Sequence, residues 1–292
     1  MGLALPRPAR KNESVGSRGR STEAVLPVLL YHDVADGPAH DRFRRYVVPP
    51  GLLDEHLSAL ASAGYRTAHA SALLSTSPPI RDDRPAVHLT FDDGYRSFAN
   101  TVLPTLARYK MTATVFVPTA YVGGPAQWLS DLGEDHRALM TWDEIRDVAA
   151  AGTEVGAHGH RHLPFDLVSR RELASELSDG RAMLEDCLGV PVTSLAYPFG
   201  FHDRAVRTSA RACGYRVAFE VGDNLQRGLV PSPMADRILR IRRIIVDPAT
   251  SGDDLLGLVQ RGRRPPAIQR ARCMARPGWR LVRRVSSIRH KP

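Results

Sequence analysis

Ala86-Val87-His88-Leu89-Thr90-Phe91-Asp92-Asp93-Gly94-Tyr95 carries more of the fold than any other stretch of the chain. The run from Val87 to Phe91 reads as a buried strand, and it stops at two adjacent carboxylates followed by a glycine. An Asp before a Gly is a common turn, and taken alone this segment needs no other explanation. Two successive carboxylates, however, point in different directions. One can bind a cation while the other faces a reacting group.

A second segment of the same kind lies about 65 residues downstream, where Gly156-Ala157-His158-Gly159-His160-Arg161-His162 follows the strand-like Glu154–Ala157. His158 and His162 are four apart, so on a helical turn both imidazoles project from one face and grip one cation. His160 offers a rival pairing, His158-x-His160, that suits an extended segment. Three of the eleven histidines of the chain fall within these five residues, which disfavours reading them as scattered surface or capping groups. Imidazoles combined with a carboxylate suit Zn²⁺ or a similar borderline cation and leave positions open for water.

Strand-like runs recur on either side: Val28–His32, Tyr65–His69, Ala86–Phe91, Ala113–Val117, Glu154–Ala157, Thr193–Tyr197, Arg216–Val221 and Ile238–Val246. Helical patterns alternate with them at about 52–63, 97–109, 142–151, 169–188, 203–213 and 252–260. In 169–188, Leu173, Leu177 and Leu184 share one face. Such alternation predicts a parallel sheet covered by helices, as a barrel or an open doubly wound sheet. The barrel is favoured because Asp92/Asp93, His158/His162 and Tyr197–Gly200 all fall just past strand C-termini, where barrel active sites are built. The expected fold class is therefore α/β, an irregular (β/α) barrel of about seven parallel strands. Gly123-Gly124 lacks the spacing and the lysine of a phosphate-binding loop. Gly152, Gly189 and Gly214 each follow a helical pattern and are expected to cap it.

Of 292 residues, 43% are hydrophobic and 24% charged, enough for a sizeable core. The net charge of +9 is uneven. Residues 261–292 carry eleven Lys/Arg and no Asp/Glu, and residues 1–25 carry five basic and two acidic side chains. The remaining 26–260 hold 24 basic against 29 acidic side chains, a mildly acidic body that gives no reason to expect nucleic acid as a partner. The expected organisation is a disordered basic arm over 1–24, a folded domain over 25–260 and a basic tail over 261–292. The arm has no apolar core after its arginines, which disfavours a secretory signal peptide. Cys187, Cys213 and Cys273 show no metal or redox spacing and fit a reducing cytoplasm. In the tail, Leu281, Val285 and Ile288 share a helical face near Trp279, a pattern that can rest on an anionic membrane; a solvated charge run is the plainer alternative. The expected location is cytoplasmic, with membrane-peripheral contact through the tail as the variant.

With Thr90-Phe91-Asp92-Asp93-Gly94-Tyr95 followed by His158-x-x-x-His162, the chain resembles the polysaccharide deacetylases, the NodB-like carbohydrate esterases. Val28–Val34, Met140–Gly152 and Ala196-Tyr197-Pro198-Phe199-Gly200 extend the likeness over about residues 26–250. The resemblance implies a distorted (β/α) barrel and metal-dependent hydrolysis of an N-acetyl group from an amino sugar, polysaccharide or glycolipid. It implies Asp92 as general base, and Asp93, His158 and His162 as ligands of Zn²⁺, or of Co²⁺ or Ni²⁺. The cation would polarise the acetyl carbonyl and hold the attacking water, and the backbone N–H of Tyr197 would help to stabilise the oxyanion.

Three departures stand out. Gly159 occupies the place where the family usually has Ser or Thr, so a hydroxyl that could brace the loop is lost. No Arg precedes Tyr197 to neutralise the catalytic carboxylate, and Arg243 on the last strand is the candidate to supply that charge. The family's late Leu-x-x-His motif is absent around Ile244-Ile245-Val246-Asp247, which leaves His32, His202 or His160 as candidates for the general acid. Thr141-Trp142-Asp143-Glu144 reads as a helix start, and Trp142 and Trp128 are candidate sugar contacts; Trp128 belongs to a long insertion, Val122–Met140, expected beside the site. Two other readings stay open: an amidohydrolase using His158-x-His160, and a non-catalytic carbohydrate-binding relative of the deacetylases.

Overall fold

Most strand candidates are short and mainly apolar rather than strictly alternating, which is how parallel strands covered on both faces read. In the computed structural model, which describes residues 25–74, 84–227 and 236–262, seven of the eight form one closed ring. We label them β1 (Val28–Tyr31), β2 (Ala86–Phe91), β3 (Thr114–Val117), β4 (Glu154–Ala157), β5 (Ser194–Ala196), β6 (Val217–Val221) and β7 (Ile241–Ile245). Each pairs in parallel with its sequence neighbours, and β1 closes the ring by pairing with both β2 and β7. The eighth candidate contracts to Arg66–Thr67, which pairs with Ala86–Val87 outside the ring. The arm over 1–24 and the tail from 263 onward lie outside the described residues.

Among the described residues, six α-helices cover the barrel: α1 (Pro50–Ser62), α2 (Leu103–Arg108), α3 (Trp142–Ala150), α4 (Arg170–Leu188), α5 (Arg204–Ala212) and α6 (Gly252–Arg261). Their ends follow local chemistry. Thr141 and Ser169 each form a capping box with the Glu three residues on, and Gly189 closes α4 in the left-handed region at φ +68°. The pattern expected over 97–109 divides into a π turn at Phe98–Val102 and α2, because Pro104 cannot donate the bond a continuous helix needs. Trp142 packs against the main core beside Cys187, which is a structural role.

The main core fills the barrel and the space beneath its helices. A second, smaller core sits at the C-terminal mouth, where Phe43, Val47, Tyr95, Ala126, Leu129 and Leu139 pack together. This core joins the 34–48 segment to the 122–140 insertion. A buried charge bridge reinforces it: Arg137 pairs with Asp33 and, at 2.7 Å, with Glu134, and the Glu134 carboxylate accepts the backbone N–H of His40. Asp33 also accepts from Ser97 Oγ at 2.6 Å. The mouth of the barrel therefore has one rigid wall, built by residues that contribute no strand to the ring.

Candidate metal centre

The site begins where β2 ends. The amide of Asp92 continues the ladder by donating to Tyr31 O at 3.0 Å, and then the chain turns through two left-handed residues, Asp93 at φ +74° and Gly94 at +64°. Aspartate tolerates this region better than most residues, so the turn costs on the order of 1 kcal/mol. Its effect is to send the two carboxylates to different partners.

Asp92 goes inward to Arg243. The guanidinium grips it through two bonds of 2.7 Å and donates a third to Thr90 Oγ1 at 3.2 Å. Arg243 has no solvent exposure, and its guanidinium lies over the rings of Phe116 and Phe219 at 5.4 and 5.7 Å. Such a fork is the strongest geometry a carboxylate and an arginine can adopt. Burial alone would raise the Asp92 pKa, but the charges of Arg243 and His158 outweigh it and hold the carboxyl below its ordinary value.

Asp93 goes to the histidines. Its Oδ1 lies 3.4 Å from His158 Nε2 and 3.2 Å from His162 Nε2, and the two imidazole rings are 4.8 Å apart. All three groups are buried, and their ligand atoms fall within 4.8 Å of one another. His158 Nδ1 donates to Ala196 O at 2.8 Å, which fixes the tautomer and leaves the Nε2 lone pair facing Asp93. Burial opposes ionisation of Asp93, yet the closeness of His158 and His162 holds it well below the usual carboxylate range. The same balance raises the His158 pKa and, with burial the larger effect, lowers that of His162. Three buried lone-pair donors aimed at one point are costly unless a cation sits among them. The donor set fits a divalent transition metal and leaves coordination positions open.

These histidines are not on a helical turn. The segment from His158 to His162 is a loop that turns back through Gly159 at φ +76° and His162 at φ +57°. The convergence of their Nε2 atoms comes from that reversal and not from helical periodicity. His160 points elsewhere: its Nδ1 is 2.9 Å from Thr119 Oγ1. The His158-x-His160 pairing therefore does not form the cluster.

Tyr197 follows directly on β5. Its amide donates to Phe219 O at 3.1 Å, extending the β5–β6 ladder one residue beyond the strand, and its hydroxyl donates to Leu239 O at 2.9 Å. His202 is engaged on both ring nitrogens, by Glu220 at 2.7 Å and by Arg207 at 3.1 Å, which leaves neither free to carry a proton to the site. His32 differs. Its Nδ1 is buried without a hydrogen-bond partner, and after burial, which lowers its pKa, its electrostatic neighbours are Asp93, Asp92, Arg243 and His158.

The insertion places Trp128 against His162, the rings stacked at 4.7 Å with 26° between their planes. On the other side Phe199, 49% exposed and left-handed at φ +60°, meets the same imidazole edge-on at 4.7 Å. Sequence reading picked out Trp128 and missed Phe199. The signal was there: an aromatic between Pro198 and Gly200 in a tight loop past a strand end.

Residues 80–218 match the family model described as polysaccharide deacetylase. The chain is 26% identical over 250 residues to YxkH of Bacillus subtilis, named as a polysaccharide deacetylase, covering 83% of this chain and 80% of the relative. It is 32% identical over 142 residues to the chitooligosaccharide deacetylase of Sinorhizobium fredii, covering 48% of this chain and 59% of the relative. Among solved structures, the Streptococcus pyogenes deacetylase PplD in complex with acetate superposes with a TM-score of 0.65 at 22% identity, over 84% of this chain and 100% of that one.

Proposed function

We propose that this chain is an enzyme of the polysaccharide deacetylase family and that it removes N-acetyl groups from an amino sugar carried on an oligosaccharide, polysaccharide or glycolipid. The observation that carries the reading is the divergence of Asp92 and Asp93, one clamped by Arg243 and the other joined to two histidines. Asp93, His158 and His162 would hold a divalent cation, best matched by Zn²⁺, with Co²⁺ or Ni²⁺ as alternatives. A cation held there polarises an amide carbonyl and acidifies water.

The chain's own residues do the rest. Arg243 keeps Asp92 ionised inside a buried site, so that the carboxylate takes the proton of the attacking water. The bond from His158 Nδ1 to Ala196 O holds that imidazole in one tautomer throughout. Of the three histidines considered as acids, His32 is the one with a buried, unpartnered nitrogen among the site's charges, and the leaving amine gains its proton there. Trp128 and Phe199 flank His162 and offer apolar faces on which sugar rings stack.

The test is acetate release from N-acetylglucosamine oligomers, polymers and glycolipids with added Zn²⁺. Release that a chelator stops and Zn²⁺ restores supports the reading. No release from any of these substrates by protein that carries bound metal contradicts it.

A further inference from the structure

The loop that bears His158 and His162 has little regular structure of its own, yet its two imidazoles must meet one carboxylate oxygen. What fixes it lies on α4. Glu176 is fully buried, with 0% exposure, on the face of α4 turned toward the loop. Its Oε2 accepts the backbone N–H of His160 at 2.9 Å and of Arg161 at 2.8 Å, and its Oε1 accepts from Arg161 Nε at 2.9 Å. These two amides lie between the two histidines of the cluster.

Two glycines make the approach possible. Gly180, one turn along α4 from Glu176, lies so close to the loop that a Cβ there would stand 2.7 Å from Gly159 O. A glycine inside a helix costs about 1 kcal/mol relative to alanine, so close backbone approach explains its presence. A Cβ at Gly159 would in turn stand 3.0 Å from Glu176 Oε2 and 3.1 Å from the Phe165 ring. On its far side the loop is tied to the 119–120 turn, through Ala120 N–H to His160 O at 2.9 Å. The loop is thus held on both sides, and the carboxylate is the polar half of the grip.

We propose that Glu176 is the positioning residue of the metal centre: its buried carboxylate fixes the backbone between His158 and His162 and so aligns their Nε2 atoms with Asp93. Glu176 touches neither cation nor substrate. It does from a helix, through two backbone amides, what a side chain within the loop cannot do when position 159 is glycine. This inference rests on the metal reading above.

The experiment measures the zinc dissociation constant of the full chain by competition with a chromophoric chelator, alongside melting temperature with and without Zn²⁺. The variants are E176A, E176Q and R161A. Loss of groups that orient metal ligands typically costs about 10–100-fold in affinity, and that range is expected for E176A, with a smaller rise in melting temperature on adding Zn²⁺. E176Q retains an oxygen that can accept both amides, and R161A removes only the partly exposed outer contact, so both are expected within about threefold of wild type. A folded E176A with wild-type zinc affinity overturns the proposal. If E176A does not fold, E176D decides: its shorter carboxylate cannot span to the loop, and wild-type affinity in E176D overturns the proposal equally. A wild-type protein that binds no zinc would instead remove the metal reading itself, so the two failures are distinguishable.

Discussion

Two neighbouring aspartates with opposite tasks set the chemistry at the scale of single residues. Both carboxylates are legible in the sequence because they interrupt an apolar strand; the split between them is not, because it depends on the left-handed φ of Asp93. Arg243 was nameable as a candidate only because no Arg precedes Tyr197 and the last strand carries arginines, and its pairing with Asp92 is a fact of barrel closure. Removing one partner of a buried ion pair costs about 3–5 kcal/mol, so R243A is expected to lower the denaturation midpoint by that equivalent and cut kcat on the order of 100-fold. Chemical denaturation and steady-state kinetics check the two effects separately; R243A with normal kcat would remove Arg243 from catalysis. A second residue predicts a pH dependence away from the site. Burial pushes His88 down to about 4 while its Nδ1 donates to His69 O at 3.1 Å. The unfolded chain takes up that proton near pH 6.5 and the folded chain only near 4. Folding stability is therefore complete above the unfolded pKa and falls as pH drops between these values, by about 2–3 kcal/mol. Denaturation curves across pH 4–7 should show this limb in wild type and a flatter one in H88Q.

At the scale of elements, the strands and helices are legible because parallel barrel strands are buried on both faces and read as mainly apolar runs, broken here by residues such as Arg242 and Arg243. What is not legible is register. The amide of Tyr197, expected at the reaction, also continues the β5–β6 ladder one residue past the strand by donating to Phe219 O. The loop after β4 misled for a related reason. The spacing of His158 and His162 fits a helix, whereas the positive φ angles of Gly159 and His162 turn it into a hairpin-like reversal. Glu176 reads in sequence as one of many charges on an amphipathic helix, and only packing reveals that it is buried. A prediction belongs to this scale. Gly-to-Ala in a helix interior ordinarily stabilises, by about 1 kcal/mol, but G180A is expected to destabilise because its methyl meets Gly159 O. A melting temperature for G180A at or above that of wild type would contradict the close packing of α4 on the loop.

Across the whole molecule, a closed ring of strands supplies fixed attachment points, and two segments outside the ring finish the site. The 34–48 segment and the 122–140 insertion share the smaller core, with Arg137 bridging Asp33 and Glu134 beneath it. That core carries Trp128 to His162 and sets Tyr46 edge-on to His32 at 4.7 Å. The length of the insertion was visible in sequence, whereas its partner segment was not, since the contacts between them span 94 and 104 residues of chain. R137A is expected to loosen this wall, lowering kcat/KM mainly through KM while leaving zinc stoichiometry unchanged; a normal KM would mean that the wall does not shape substrate binding. The most direct measurement on the molecule sets zinc content beside acetate release in wild type, D92N and H158A. D92N should keep its zinc and lose turnover by about 100-fold or more, while H158A should lose both. If D92N turns over like wild type, or if H158A retains full zinc and full activity, then Asp92 is not the base or the Asp93, His158 and His162 cluster is not the metal centre.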